Sequence, residues 1–172
     1  MIKDISHRED LMDSLEKTTG DLITLLDLFS EKAINAVPFE GSWTAAQVAD
    51  HITRSNISIA KALHLKGTAI NRNPGERIEE LKEIFLNFNN KFKSPDFIVP
   101  AQAIYERETV IGHLKQSVQR MKEISITANL SEMINHPAFG DITKFEILHF
   151  VLYHTQRHIH QLEKIFLAVS GR

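Results

Sequence analysis

Apolar residues recur three and four positions apart over long stretches of this sequence, and the breaks between these stretches are short. That spacing places the apolar side chains on one face of an α-helix. Gly and Pro, which interrupt helices, number only seven and five in 172 residues and fall mostly within the breaks. The sequence therefore predicts an all-α bundle, and its length suits one domain formed by residues 1–172.

Two helices have well-defined starting points, because each is preceded by the residues of a capping box. Thr44 is followed three residues later by Gln47, and Thr143 is followed by Glu146. In each pair the threonine hydroxyl accepts a hydrogen bond from the backbone of the later residue, whose side chain accepts one from the threonine backbone. We expect these helices to run to about residues 65 and 168.

The remaining helices follow mainly from periodicity. The first begins near Ser6, where Glu9 completes a similar capping pattern, and another covers about 110–124. An amphipathic stretch at 78–92, preceded by the break at 71–75, adds one more helix. The predicted fold is a four-helix bundle with an additional helix inserted between the second and third bundle helices.

Charge and hydropathy exclude several kinds of partner. The chain carries 20 Lys and Arg against 22 Asp and Glu, a formal net charge of −2, so no basic surface for nucleic acid or anionic lipid is indicated. No apolar run approaches the roughly 18 residues of a membrane span, and the N-terminus lacks the apolar segment of a secretory signal. We expect a cytoplasmic protein that acts on a small molecule and binds neither nucleic acid nor membrane.

Cysteine is absent from the sequence. Disulfide bonds, thiolate metal sites and a sulfur nucleophile belonging to the protein are therefore excluded. Any thiol chemistry has to use a thiol supplied by a second small molecule.

Two of the nine histidines are spaced for metal binding. His154 and His158 lie four residues apart on the last predicted helix, so their rings project from one face about one turn apart. The same face carries Ile147, Val151 and Ile165, which directs the pair toward the bundle interior. Taken alone, the pair is also explained by neutral core or surface histidines that each make one hydrogen bond.

A third histidine strengthens the metal interpretation. His51 lies two turns into the second bundle helix and shares its face with Ser55 and Ser58, small polar residues that suit a pocket wall better than a packed core. Three imidazoles from two helices leave coordination positions open for water or a substrate, as in catalytic rather than structural sites. The sequence therefore predicts that one divalent metal ion binds to His51, His154 and His158.

Two further polar residues lie near this predicted site on the last helix. Gln161 could hydrogen-bond a metal-ligating histidine, but the simpler interpretation is a solvated glutamine near a helix end. Arg157 could bind a substrate carboxylate through both terminal nitrogens, but the simpler interpretation is an exposed helical arginine. His149 and His160 are assigned to the far side of the last helix, and His136 is assigned to a turn. Surface or capping roles are assigned to the remaining three: His7, His64 and His113.

Several motifs occur in a characteristic order along the chain. They are the Trp-Thr pair at 43–44 ahead of His51, the HPAFG turn at 136–140 and the run LHFVLYHTQRH at 148–158. In order and spacing they resemble the DinB/YfiT-like superfamily, damage-inducible four-helix-bundle proteins regarded as metal-dependent enzymes. The resemblance covers nearly the whole chain and implies a metal triad of His51, His154 and His158.

The resemblance also implies a chemistry. Members commonly bind nickel, zinc or a similar divalent ion and often form dimers; some are thiol-dependent S-transferases, one is a mycothiol-dependent isomerase and others are considered hydrolases. We expect a homodimeric S-transferase or hydrolase that activates a low-molecular-weight thiol or water at the metal. No general base is assigned, because neither Asp50 nor Glu146 falls on the face of the histidines. The alternatives are a non-catalytic metal-binding protein of the stress response and an interaction module whose histidines are incidental.

One segment departs from the resemblance. Residues 71–100 match none of the family motifs, and we expect them either to shape the mouth of a pocket or to lengthen the core. The last helix also carries a second apolar row, which contact with a second copy or with another helix of the same chain explains equally well. The members of this row are Phe145, Leu148, Leu152, Ile159 and Phe166.

Overall fold

Four long helices and one shorter inserted helix dominate the computed structural model, which describes residues 2–170 and their side chains from residue 7 onward. The predicted all-α fold and the insertion between the second and third bundle helices are confirmed. The helices are α1 (Ile2–Asp27), α2 (Glu31–Ile34), α3 (Ala45–Leu63), α4 (Ile78–Leu86), α5 (Arg107–Thr127) and α6 (Lys144–Val169). A 3₁₀ turn covers Asp96–Ile98, and strands β1 (Met133–His136) and β2 (Gly140–Thr143) pair antiparallel.

The order of the four long helices around the bundle differs from their order along the chain. α6 packs against α1 and α3, α3 packs against α5, and a lighter contact between α5 and α1 closes the ring. The first two long helices, α1 and α3, therefore stand diagonally, as do the last two, α5 and α6. α3 and α6 become neighbours, and α4 packs on the side of α6. None of the described helices is both long and apolar enough to cross a membrane.

Both strong helix starts form as predicted. The Gln47 backbone N–H donates to Thr44 Oγ1 at 3.2 Å, and the Thr44 N–H donates to Gln47 Oε1 at 3.0 Å. At α6 the Glu146 N–H donates to Thr143 Oγ1 at 3.0 Å, and the Thr143 N–H donates to Glu146 Oε2 at 2.9 Å. These caps fix where α3 and α6 begin, and therefore which of their residues share a face.

The bundle interior consists of two apolar clusters, one around Leu15, Ile59 and Leu148 and the other around Leu26 and Ile52. Each long helix also contributes buried polar side chains. They include Thr18 and Thr19 on α1, His51, Ser55 and Asn56 on α3, Ser117 on α5, and His154, Thr155 and His158 on α6. The three predicted metal ligands are therefore among the polar side chains buried in the bundle.

The first helix begins earlier than the sequence pattern predicted. α1 begins at Ile2, so Ser6 lies within the helix and the prediction of a start at Ser6 was wrong. A Ser-x-x-Glu pattern allows a cap but does not prevent the preceding residues from continuing the helix.

The inserted helix is shorter than predicted: α4 ends at Leu86 and does not include Phe88 and Phe92. Asparagines follow it, and Asn90 Nδ2 donates to the carbonyl of Ile84 at 3.1 Å. Such side-chain bonds compete with helical hydrogen bonds and favour a turn. Residues 87–95, here called the mouth segment, connect α4 to the 3₁₀ turn without regular structure.

The predicted turn at 136–140 is the tip of a short hairpin that the sequence did not reveal. His136 pairs with Gly140, whose φ of +62° lies in the left-handed region that Gly adopts without strain. Each strand has only four residues, which is too short for an alternating apolar pattern to stand out.

The second apolar row of α6 packs within this chain. Leu148 and Leu152 are buried in the core, and the ring of Phe166 packs edge-on against Phe29 at a centroid distance of 5.1 Å. Contact with other helices of the same bundle therefore accounts for these three members of the row.

Candidate metal centre

The structure brings together the three histidines that the sequence singled out. Nε2 of His154 lies 3.1 Å from Nε2 of His51 and 3.0 Å from Nε2 of His158. One ring nitrogen of each residue lies within 4.8 Å of the others, and all three side chains are buried. Nitrogens that bind one ion at about 2.0–2.1 Å lie roughly 3–4 Å from one another, so this spacing fits a shared ion. We call this group the histidine triad.

Two members of the histidine triad are oriented through their other ring nitrogen. Nδ1 of His51 donates to the carbonyl of Ile98 at 2.9 Å, and Nδ1 of His158 donates to Oε1 of Gln161 at 2.8 Å. A proton on Nδ1 leaves Nε2 with a free lone pair in the neutral ring. Both Nε2 atoms are therefore poised as ligands, in the arrangement that commonly orients metal-binding imidazoles.

His154 lies between these two acceptors. A proton on its Nε2 can form a good hydrogen bond to only one of the two neighbouring Nε2 atoms. Its Nδ1 is buried without a hydrogen-bond partner among the described residues. Hydrogen bonds within the triad therefore leave at least one close nitrogen pair unsatisfied. A cation that accepts all three lone pairs would remove this conflict, so the donor set fits a divalent metal.

Burial keeps the triad neutral. It lowers the pKa of His51, although the hydrogen bond to Ile98 opposes the shift. Burial and the neighbouring imidazoles hold the pKa of His154 well below its ordinary value, and burial is the main cause that lowers the pKa of His158 to about 3. Neutral imidazole is the form that binds a metal ion, so the ligands need not lose protons near neutral pH.

The histidine triad lines an open cavity of about 990 Å³. Ser55 and Ser58 line the same cavity, which confirms the prediction of a pocket wall on this face of α3. The mouth segment also lines this cavity, so the first of the two roles expected for residues 71–100 is confirmed for this part. Aromatic side chains also line the cavity: Trp43, Phe85, Phe88, Phe92, Phe97, Phe139 and Phe150.

Trp43 lines the cavity, although the sequence pattern indicated it only as part of a family motif. Its ring centroid lies 4.9 Å from that of His51, with the two planes inclined by 45°. Its place near His51 could have been inferred from the sequence, because Trp43 directly precedes the capped start of the helix that carries His51. As the single tryptophan of the chain, it offers a spectroscopic probe beside the triad.

The simpler interpretations of Gln161 and Arg157 were wrong. Gln161 is half-buried and holds His158, as described above. The Arg157 guanidinium donates to the carbonyls of Phe85 and Asn87, at 3.2 and 3.0 Å, and also to that of Asn90. The three carbonyls that accept from Arg157 lie far away in sequence, so helical periodicity could not reveal them.

Arg157 is also not arranged as the carboxylate binder that the sequence offered as its other role. Its guanidinium is already committed to three backbone carbonyls and lies over the ring of Phe92, 4.8 Å from the centroid. The structure therefore gives Arg157 the role of tying the mouth segment to α6.

His136 belongs to the turn, as predicted, but it also lines the cavity. It is buried, and its Nδ1 accepts a hydrogen bond from the backbone N–H of Ala138 at 3.2 Å. Burial lowers its pKa, so the ring is neutral with its proton on Nε2. His136 is not part of the triad among the described residues, although it lines the same cavity.

The two histidines assigned to the far side of α6 are indeed outside the triad. His149 donates from Nδ1 to the carbonyl of Phe145 at 3.0 Å. His160 stacks on Phe88 with a centroid distance of 4.1 Å and lines the cavity near the mouth segment, which was not expected. Phe88 belongs to the mouth segment, so this contact places His160 beside the part of the cavity that the mouth segment lines.

The two carboxylates considered as general bases are engaged elsewhere. Glu146 is fully buried and accepts from Arg72 at 2.5 and 2.8 Å. Burial is the largest influence and opposes its ionisation, but the hydrogen bonds from Arg72 and from backbone N–H groups outweigh it and lower the pKa of Glu146. Asp50 accepts from Arg54 at 2.8 Å and from the hydroxyl of Tyr105 at 2.9 Å.

Two solved structures share this fold. The four-helix bundle protein TT2238 has a TM-score of 0.60 and 20% identity, and the match covers 91% of this chain and 98% of that protein. YfiT from Bacillus subtilis, described as a probable metal-dependent hydrolase with an unusual four-helix bundle topology, has a TM-score of 0.60 and 16% identity. That match covers 93% of this chain and 86% of YfiT.

Sequence comparison gives the family. The uncharacterized protein YuaE of Bacillus subtilis (strain 168) is 26% identical over 144 residues, which cover 79% of this chain and 85% of YuaE. The family profile of the DinB superfamily matches residues 14–162, a span that includes all three histidines of the triad. The chain therefore belongs to the DinB superfamily.

Proposed function

We propose that the histidine triad binds one divalent metal ion and that the protein is a metal-dependent enzyme acting on a small molecule in the adjacent cavity. One observation carries this proposal: the Nε2 atoms of His51 and His158 both lie close to that of His154, in the wall of an open cavity. The description of YfiT as a probable metal-dependent hydrolase supports it.

The open cavity favours catalysis over a purely structural or storage role. Structural zinc sites are usually closed by four protein ligands, whereas catalytic sites keep a position for water or substrate. The described residues offer three clustered ligands, and the cavity beside them has a volume of about 990 Å³. A non-catalytic metal-binding protein of the stress response remains the alternative, and it requires neither the open side nor the cavity.

The reaction class that we propose is hydrolysis or thiol S-transfer. When bound, the cation supplies Lewis acidity, which lowers the pKa of a coordinated water or thiol. Ile98 and Gln161 keep two of the imidazoles oriented for this role. Because the chain has no Cys, the transfer reaction needs a low-molecular-weight thiol as cosubstrate.

No carboxylate of the described cavity wall stands out as a general base. Asp96, on the 3₁₀ turn, is the only acidic residue of that wall, and it is exposed. A cation held by the triad would therefore supply the activation of the nucleophile that no carboxylate of this wall supplies. Three imidazoles suit zinc or nickel, the metals that we propose first, and also accept other transition metals.

Metal binding is the first test. The full chain is purified without a histidine tag, stripped with chelator, reconstituted with zinc or nickel and analysed for metal. We expect about one equivalent, and less than about a tenth in the His154→Ala variant, since that site needs all three ligands. His160→Ala is the matched control on the same helix and should retain the metal. Equal loss in both variants, or no metal in the unaltered chain, would contradict the proposal.

Turnover is the second test. A chlorinated aromatic electrophile is incubated with the reconstituted protein and a panel of small thiols, and activated esters are tested for hydrolysis. We expect activity with metal that is lost on addition of chelator and in His154→Ala. Stoichiometric metal without turnover of any compound would favour the non-catalytic alternative.

The remaining proposals concern the setting of this activity. We propose that residues 1–172 form one domain, that the protein acts in the cytoplasm and that it forms a homodimer. Light scattering coupled to size-exclusion chromatography checks the dimer, for which a mass of about twice the 19.6 kDa of one chain is expected.

A further inference from the structure

The cavity has an aromatic wall next to the histidine triad. The ring of Phe150 lies 5.0 Å from that of His154, and Phe85 packs edge-on against Phe150 at 4.9 Å. Phe139 contacts Phe150 at 4.5 Å, and Phe92 stacks on Phe85 at 5.3 Å. This wall favours a ligand with a flat apolar body, because such a ligand removes apolar surface from water and can stack on the rings.

The rim of the same cavity is positively charged. Lys91 and Lys93 of the mouth segment and Lys164 of α6 line it and are exposed. None of these three forms an ion pair with a described carboxylate. Asp96 is the only acid of the described lining. The local excess of positive charge contrasts with the formal net charge of −2 for the whole chain.

Arg157 does not compete with the lysines for an anionic ligand. Its guanidinium donates to carbonyls at the end of α4 and in the mouth segment. The free ammonium groups of Lys91, Lys93 and Lys164 are therefore the cations that remain available to a ligand in the cavity.

We propose that the substrate is an organic anion with an aromatic body, such as an aromatic carboxylate or sulfonate. The aromatic body packs against Phe85, Phe139 and Phe150 beside the triad, and the anionic group lies near the lysines of the rim. This assignment deepens the proposed function, because it names the class of molecule that the metal-dependent reaction uses. Binding itself depends on the wall and the rim, so it is testable without metal.

Two fluorescent probes of similar shape separate the contributions of the wall and the rim. The sulfonate 8-anilinonaphthalene-1-sulfonate is compared with the neutral N-phenyl-1-naphthylamine, using the metal-free full chain at low salt. We expect the sulfonate to bind more tightly, and salt to weaken the sulfonate more than the neutral probe, because exposed charges are screened. Equal affinities and equal salt dependence would overturn the proposal.

Charge reversal of the rim tests the assignment of residues. In the double variant Lys93→Glu/Lys164→Glu we expect the sulfonate to bind about three- to tenfold more weakly, the size expected for exposed charges, while the neutral probe changes less than about twofold. The matched control is Lys17→Glu/Lys66→Glu, which reverses two exposed lysines outside this cavity and should leave both probes unaffected. The same loss in both double variants would show a general charge effect and would overturn the proposal.

Truncation of the wall tests the location of the aromatic body. Phe139→Ala should weaken both probes, whereas Phe39→Ala, at an exposed site outside the cavity, should weaken neither. Circular dichroism identifies a variant that fails to fold, and Phe85→Ala then replaces Phe139→Ala. An unchanged probe affinity in both Phe139→Ala and Phe85→Ala would overturn the proposal. Since metal is absent throughout, these outcomes are independent of whether the triad binds a metal ion.

Discussion

The histidine triad and the mouth segment line the same cavity, but they are held in place by different interactions. The triad lies on two long helices, α3 and α6, each started by a capping box and buried in the bundle. The mouth segment has no regular secondary structure, and contacts from Arg157 to its backbone and to the end of α4 tie it to α6. We therefore expect the bundle to fix the reactive side of the cavity, and changes within the mouth segment to affect the triad little as long as His51 keeps its hydrogen bond to Ile98.

The largest expected effect comes from the cap that fixes α6. Glu146→Ala removes a buried carboxylate that neutralises Arg72 and accepts the N–H of Thr143, so we expect the free energy of unfolding to fall by about 3–5 kcal/mol. Urea denaturation measures this. Glu163→Ala, whose carboxylate is largely exposed on the same helix, should change stability by less than about 0.5 kcal/mol. A loss below about 1 kcal/mol in Glu146→Ala would show that this end of α6 is less important than its burial indicates.

The second effect concerns the orientation of the triad. Gln161→Ala removes the acceptor that holds Nδ1 of His158, and we expect zinc or nickel to bind about 10–100-fold more weakly. Competition with a chromophoric chelator measures the affinity. Gln156→Ala is the matched control on the same helix, because the Gln156 side chain makes no hydrogen bond to a described residue and its removal should leave the affinity unchanged. Unaltered affinity in Gln161→Ala would remove Gln161 from the support of the metal centre.

The third effect is the pH dependence of the metal-free protein. His158 has a pKa of about 3 when folded and about 6.5 when unfolded, so between these values the unfolded chain binds a proton that the folded chain does not. Stability must then decrease as pH falls, by about 1.4 kcal/mol between pH 7.5 and 5.5 for this one histidine. His51 and His154, with lowered pKa values, act in the same direction.

Urea denaturation at the two pH values, compared between the unaltered chain and His158→Ala, isolates this contribution. The variant should lose less stability on acidification. An equal loss in both proteins would show that His158 titrates normally when folded, contrary to its burial.

The smallest expected effect distinguishes the mouth from the bundle most directly. In Arg157→Ala we expect amide hydrogen exchange in the mouth segment to accelerate about three- to tenfold, because hydrogen bonds to its carbonyls are lost. Exchange in the α3 turn around His51, and metal affinity, should not change. Faster exchange in both regions would show that the mouth and the triad behave as one unit.

Local sequence rules were sufficient for one side of the cavity. His154 and His158 are one turn apart, His51 follows a recognisable cap, and helix geometry directs all three toward the interior. Their use as metal ligands stays a prediction, but their meeting in space follows from the packing of α3 against α6. The diagonal placement of α1 and α3 was not predictable, because periodicity gives the apolar face of a helix and not its neighbour.

The other side of the cavity depends on contacts that sequence patterns do not encode. Nδ1 of His51 donates a hydrogen bond to the carbonyl of Ile98, and Arg157 donates to those of Phe85 and Asn90. All three carbonyls are distant along the chain from their donors. Backbone carbonyls are present at every residue, so no residue type marks these acceptors. The shorter α4 has a local origin instead, because the hydrogen bond from Asn90 to Ile84 prevailed over an apolar periodicity that continued to Phe92.

Arginine hydrogen bonds tie the inserted segment to α6 at two points: Arg72 to Glu146 ahead of α4, and Arg157 to carbonyls at the end of α4 and directly after it. Glu146 and Arg157 are three turns apart on α6, a rise of about 16 Å, and the nine residues of α4 lie alongside. Removing or adding one residue within α4 would rotate its later side chains by about 100° and break one of the two ties. Among natural homologues, we therefore expect insertions and deletions to accumulate ahead of Arg72 and after Asn90, while the length between these residues stays constant.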